Sequence, residues 1–392
     1  MSPNEPIQRP IGFRPWEISA MVNREVVEQH AEEAAFLWLL RDDAAQAPNY
    51  NLQDLADLDE RLEANLDGLR VAGDVGWEYC QAGLENEEPG EIFAAGVIAF
   101  GDANPERMEQ VLAVAGSASE LGRALASALG WLDFDEVKEN AEALISSEDP
   151  NMSRIGLSAF AIHRQDPGLI LPDRMTAADT RLRARALKAA GELGKTNFAA
   201  SLLDSLSDAD PACRFYAAWS AARIGIRSTA VIQALKTIAG EGGRFSERAA
   251  DMAMRCTDSA EAIQWFREMA HSPQTVRCAI VGAGALGDPS LVEDLLLLMG
   301  EEETSRVAGE AFAMITGVDI EYEDLDAEEP EGFQAGPSEE AEDEDVAMDP
   351  DEDLPWADPE LIRNWWYERR EHFNSGTRYI RGKEITVASL KD

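Results

Sequence analysis

The sequence predicts an all-α protein: a right-handed α-solenoid of helical-hairpin repeats with an N-terminal helical cap and an acidic disordered insert. Three observations predict it. Strand signals are nearly absent, whereas Ala and Leu recur at helical spacing through most of the 392 residues. An Arg-led helical pattern returns about every 30 residues. Finally, the segment from Asp319 to Glu360 is about half Asp and Glu and holds no Lys or Arg.

The repeat is clearest in two stretches. RARALKAAGELG begins at Arg183 and RFYAAWSAARIG at Arg214. Each has Ala three residues on, small residues at six to seven, and Gly at eleven. Arg306 (RVAGEAFAMITG) keeps this frame, and Arg277 (RCAIVGAGALG) keeps it with one residue fewer. Arg123, Arg154 and Arg248 begin looser copies, and Glu91 a copy with the charge changed. Before most copies lies another amphipathic segment, such as STAVIQALKTIAG or SLVEDLLLLMG. Each unit therefore reads as helix, turn, helix. The terminal Gly supplies a left-handed cap, and Asp-Pro often follows. One such unit cannot bury its apolar face alone, so units must stack. The pattern resembles HEAT-like repeats, and that resemblance implies that Arg154, Arg183, Arg214, Arg248, Arg277 and Arg306 are structural positions bonded to carbonyls or acids of a neighbouring unit.

The predicted domains follow in order. Residues 1–25 are a Pro-rich segment without the apolar stretch of a secretory signal. Residues 26–87 form the helical cap: VVEQHAEEAAFLWLLRDD is one amphipathic helix, and Asn51 is the N-cap of a second. That second helix places Leu52, Leu55, Leu58, Leu62, Leu66 and Leu69 on one stripe. Residues 88–318 are the repeats, 319–358 the flexible acidic insert, and 359–392 a C-terminal helix and tail.

The net charge is −41, and the acidic insert supplies about half of it. Such a charge repels nucleic acid and anionic membranes, so neither is an expected partner. No apolar run is long enough to span a bilayer. Four scattered cysteines without a C-x-x-C pair predict free thiols in a reducing, cytoplasmic setting.

No constellation for catalysis is legible, and no cofactor is expected. The four histidines fall in separate units. The glycines of VGAGALGDP lie inside a repeat helix, where close packing accounts for them, and not after a strand. His30 with Glu33 reads as a structural pair on a helix. Asp349, Asp351, Asp353 and Glu360 occupy positions 1, 3, 5 and 12 of a calcium-loop frame. Leu354 and Pro355 stand where the loop must turn sharply, so no metal site is assigned.

The remaining candidates are for binding a partner. They are Glu339, Glu340, Glu342, Asp343, Glu344, Asp345, Asp349, Asp351 and Asp353 of the insert, together with Trp356. Carboxylates beside an exposed aromatic suit a basic protein surface.

Two stretches also resemble a bacterial family described through HEAT-like repeats and its occurrence near type VI secretion genes. The first is residues 30–100, with HAEEAAFLWLLRD, LDERLEANLDGLRVAG, GWEYC and GEIFAA. The second is WWYERREHFNSGTRYIRGKEIT at 365–386. The resemblance carries no catalytic residues. It implies a cytosolic immunity protein that neutralises a type VI effector, here a basic nuclease toxin encoded by a neighbouring gene. The alternative is a scaffold or adaptor for assembling or loading the secretion system, and a HEAT-like lyase-type enzyme is a minor alternative.

Overall fold

The computed structural model describes residues 22–336 and 348–389. These form two compact units divided between Gln165 and Asp166. Among the described residues there are 19 α-helices, and one two-residue-by-two-residue hairpin, Tyr379–Ile380 with Lys383–Glu384, is the only β-ladder. The repeat region predicted over 88–318 is shared between both units.

The first unit opens with a helical hairpin. Helix Arg24–Ala44 packs along helix Leu52–Ala72. Asn51 caps the second helix: its side chain accepts from the amides of Gln53 and Asp54, at 2.7 and 3.3 Å, while Asp54 accepts from the Asn51 amide. Leu58, Leu62, Leu66 and Leu69 form the buried stripe. Leu52 does not join it and is 86% exposed, because the hairpin contact begins beyond the first turn. His30 bonds to Asn65 across the hairpin at 2.9 Å and not to Glu33. A Cβ on Gly68 would lie 2.4 Å from the His30 ring, so Gly68 is what allows this crossing.

Helices Pro89–Gly101, Ser119–Trp131 and Pro150–Ile162 then stack side by side. Helices Pro105–Ala115 and Phe134–Ser146 run between them. The stacked helices are Ala- and Gly-rich, and close approach follows from small side chains. Trp38 ties the hairpin to the stack: its ring lies on Phe93 and its indole N–H donates to Ser127 Oγ at 3.0 Å.

The second unit repeats this arrangement. Helices Thr180–Glu192, Pro211–Arg223, Ser246–Cys256, Val276–Leu286 and Ser305–Thr316 pack in sequence, each on the next. Helices Ile170–Met175, Ala199–Asp204, Thr229–Ala239, Ser259–Ala270 and Val292–Leu298 pack against them. The repeat glycines end the stacked helices in the left-handed region, with φ of +63° at Gly194, +95° at Gly225, +74° at Gly287 and +76° at Gly317. Several helices start with Asp followed by Pro. Asp149, Asp210 and Asp358 each accept a backbone amide of the first turn, and the Pro occupies a position that needs no donor.

The segment 319–358 differs from the expected loose insert wherever it is described. Ile320, Leu325 and Ala357 are buried in the core of the second unit. Its two arms meet: the Ala327 amide donates to Trp356 O at 2.8 Å, and the Asp358 amide to Leu325 O at 3.0 Å. Helix Pro359–Arg369 follows, with Ile362 and Trp366 buried and Trp365 and Trp366 edge-on to Phe312. Apolar anchors therefore outweigh the mutual repulsion of the acids at both ends of the segment.

Candidate functional site

The candidate site lies on the second unit, where the leading arginines of successive stacked helices meet acids and aromatics. Arg183 forms a two-pronged pair with Asp208, at 2.9 and 3.1 Å, and also donates to Ala177 O. That pairing holds the Asp208 carboxyl below the usual carboxylate range and raises the Arg183 guanidinium. Arg214 donates to the carbonyls of Asp208 and Ala209, both at 3.0 Å. In the first unit, Arg154 donates to Ser119 O at 3.3 Å. Arg123 instead reaches both carboxylate oxygens of Asp42.

The acidic segment supplies the carboxylates for the last two arginines. Asp351 is 4% exposed and takes both terminal nitrogens of Arg277, at 2.7 and 2.8 Å. The Arg277 Nε donates to Glu247 at 2.8 Å. Hydrogen bonding to Asp351 raises the Arg277 guanidinium further above its ordinary value. Arg306 donates to Asp349 at 2.6 Å and to Asp351 O at 2.9 Å. Its guanidinium lies 4.6 Å from the Trp356 ring centre and 5.3 Å from that of Phe333. Trp356 and Phe333 meet edge to face. The strap Asp349–Trp356 is thus an internal ligand of two repeat arginines. The Asp-x-Asp spacing that sets up a calcium-loop frame serves guanidinium cations instead.

Of the ten expected partner-binding residues, Asp349, Asp351 and Trp356 are therefore engaged within the chain, and Asp353, exposed beside them, also has a contact of its own. Glu339, Glu340, Glu342, Asp343, Glu344 and Asp345 lie outside the described residues. Sequence reasoning did not find the docking of the strap, because the signal, two aspartates two residues apart, is common in any acidic run.

Between the two carboxylate-paired ends of this ladder is a stretch of a different kind. Arg244 lies 4.5 Å from the centre of the Phe245 ring, Phe245 stacks on Phe215 at 4.5 Å, and Arg248 lies 5.3 Å from the Phe215 ring. Arg248 and Lys188 also approach the Tyr216 ring, at 5.9 and 5.8 Å. Among the described residues, neither Arg244 nor Arg248 is in an ion pair with a carboxylate, whereas Arg214, bonded to the Asp208 and Ala209 carbonyls, also acts on the Asp208 carboxylate. Residues 180–256 hold twelve Lys and Arg against seven Asp and Glu, a net positive span in a chain of net charge −41.

The C-terminal segment is the second feature that sequence reasoning missed. The amides of Tyr379, Arg381 and Gly382 donate to Gly287 O, Met314 O and Ile315 O, at 2.8, 2.7 and 3.1 Å. Arg378 donates to the carbonyls of Arg255 and Thr257. One short hairpin thus satisfies orphan carbonyls at the ends of three successive stacked helices. Asp288, fully buried, accepts from Ser290 and from the Gly376 amide at 3.2 Å.

The first unit carries an acidic cleft of about 240 Å³, lined by Glu28, Glu32, Glu91, Tyr79, Cys80 and Asn86 among others. Burial pushes the Cys80 thiol up to about 12. Among the described residues, no group of three or more His, Cys, Asp or Glu is placed to hold a metal ion, and no helix is long and apolar enough to cross a membrane.

No family model and no curated protein matches the chain. Among solved structures it is similar to an engineered protein from the Northeast Structural Genomics Consortium. The identity is 14% and the TM-score 0.35, over 74% of this chain and 93% of that one. A likeness of that degree carries no statement about function.

Proposed function

We propose that the chain is a non-catalytic protein-binding solenoid of the right-handed, HEAT-like type, and that it acts as a cytosolic immunity protein against a type VI effector with a basic surface. The observation that carries this reading is the charge distribution. The acidic excess is concentrated in the segment after Asp319, whose two ends are anchored while the residues between Pro337 and Ala347 add six more carboxylates. Such a charge speeds encounter with a basic nuclease and can oppose its phosphate-binding cleft. The acid-lined cleft of the first unit offers a second surface of the same sign. Because Asp349, Asp351 and Trp356 serve the fold and Asp353 also has a contact within the chain, the proposed contact narrows to Glu339, Glu340, Glu342, Asp343, Glu344 and Asp345.

The test is co-expression with the product of the adjacent gene. That product should be toxic alone, harmless together with this chain, and recovered with it in a pull-down. A neighbour that is harmless and does not bind would sink the reading. Replacing Asp343, Glu344 and Asp345 together by Asn, Gln and Asn should slow association several-fold at low salt and flatten its salt dependence.

A further inference from the structure

We infer that the exposed guanidinium groups of Arg244 and Arg248, backed by the buried rings of Phe245 and Phe215 and flanked by Arg214 and Tyr216, are a docking site for an acidic peptide of a protein partner, carrying two Asp or Glu residues at i and i+2 of a turn. The inference is independent of the immunity reading, which concerns the acidic surfaces of the chain.

The chain itself shows how its repeat arginines take such a peptide. In the strap, Asp349 and Asp351 reach arginines on two neighbouring stacked helices, and Trp356 covers one guanidinium. That stretch of the strap is a turn: the Asp351 amide donates to Asp349 Oδ1 and the Leu354 amide to Asp351 O, both at 2.9 Å, and the turn presents the two carboxylates to arginines on neighbouring helices, whose axes lie about 8–10 Å apart. Arg214 and Arg248 stand on the preceding pair of helices, Pro211–Arg223 and Ser246–Cys256. Arg248 lies over the ring of the residue that follows Arg214.

Here the internal ligand is missing among the described residues. Arg244 and Arg248 are exposed, and their guanidinium faces rest on Phe245 and Phe215. Stacking on a ring fixes a guanidinium while leaving its N–H edge free to bind a carboxylate. Of the acids near them in sequence, Glu241 is exposed, whereas Glu247 is committed to Arg277, Asp251 to Arg255 and Asp208 to Arg183. The net charge of the whole chain disfavours a long polyanion such as nucleic acid, whose charge extends well beyond the patch. A short peptide with two or three carboxylates meets only the local positive field.

The probe is a fluorescently labelled, end-blocked peptide of sequence DPDEDLPW, that of residues 349–356, titrated with the full chain and read by anisotropy. Binding in the micromolar to submillimolar range is expected, weakening as salt is raised. The double variant Arg244→Ala, Arg248→Ala removes two exposed side chains, and its folding is checked by circular dichroism and thermal melting. It should bind about ten-fold or more weakly, the loss expected for two charge-assisted contacts. The control peptide NPNENLPW should bind as weakly. No binding of DPDEDLPW by about 1 mM overturns the proposal. Equal binding by the double variant overturns it too, since the peptide would then sit on Arg277 and Arg306. Equal binding of the Asn peptide, or tighter binding of an eight-residue oligo-dT, removes the carboxylate-specific site.

Discussion

Arg277 and Asp351 are 74 residues apart in sequence, yet they form a two-pronged ion pair at 2.7 and 2.8 Å. The carboxylate is buried and the guanidinium about a third exposed. This pair fastens the acidic segment to the stacked helices.

Removing the acid should therefore cost more than a surface ion pair does. Asp351→Ala leaves Arg277 with Glu247 alone and takes an acceptor from a buried position. The expected loss is about 1–3 kcal/mol, below the value for a fully buried pair because Arg277 retains access to water. Urea unfolding measures it. The double variant Arg277→Met, Asp351→Leu should recover part of the loss, and strict additivity of the two single changes would deny the coupling.

The C-terminal hairpin depends on glycines at two facing positions. A Cβ on Gly287 would lie 2.1 Å from Tyr379 O, and one on Gly382 would lie 2.6 Å from Thr316 O; both residues have positive φ. Gly382→Ala should cost about 1–3 kcal/mol locally, combining backbone strain with a displaced contact. Hydrogen exchange should show faster amides at Tyr379, Arg381 and Gly382, with the Thr180–Glu192 helix unchanged.

Arg378→Ala tests the same latch from its side chain. It frees the carbonyls of Arg255 and Thr257. Limited proteolysis should then cut between Phe373 and Thr386 several-fold faster than in the parent chain, while the helix Pro359–Arg369 stays protected. Equal cutting rates would mean that the backbone bonds alone hold the hairpin.

Titration gives a further expectation. Burial pushes the Glu310 carboxyl up, against an opposing effect of Arg381. A carboxyl whose folded pKa is raised binds its proton more tightly in the folded state. Its contribution to stability is then most favourable at low pH and falls as pH rises from the unfolded to the folded pKa. Glu310→Gln should raise the melting temperature at pH 7 and lose that advantage near pH 4. Asp208 has the opposite sign: its pKa is held down by Arg183, so its contribution is present at neutral pH and lost on acidification. Asp208→Asn should narrow the difference in melting temperature between pH 7 and pH 3.

Much of the helical order was legible because it depends on local signals. The Arg-to-Gly spacing marks the stacked helices, and Gly194, Gly225, Gly287 and Gly317 have the left-handed φ that a terminal Gly implies. Asn51 caps its helix through its own side chain and Asp54. What escaped is non-local. Asp351 reaches Arg277, and Arg378 reaches Arg255, across 74 and 123 residues, and neither partner carries a sign of the other. Composition also misled, since a run rich in Asp and Glu reads as loose until Ile320, Leu325 and Ala357 are seen in the core. The positive span around Arg244 and Arg248 is hidden for a similar reason: a chain-wide charge of −41 averages it away.

The strap and the hairpin also fix an order of events during synthesis. The ribosome makes Arg277 and Arg306 well before Asp349 and Asp351, and it makes the helix ends at Arg255, Gly287 and Met314 before the residues that cover them. A nascent second unit therefore carries Arg277 with Glu247 alone, Arg306 without Asp349, and a row of carbonyls exposed to water or to chaperones until its last quarter emerges. Ribosome-arrested chains cut before and after residue 352 and followed by a linker long enough to fill the exit tunnel would place that transition on the elongation clock.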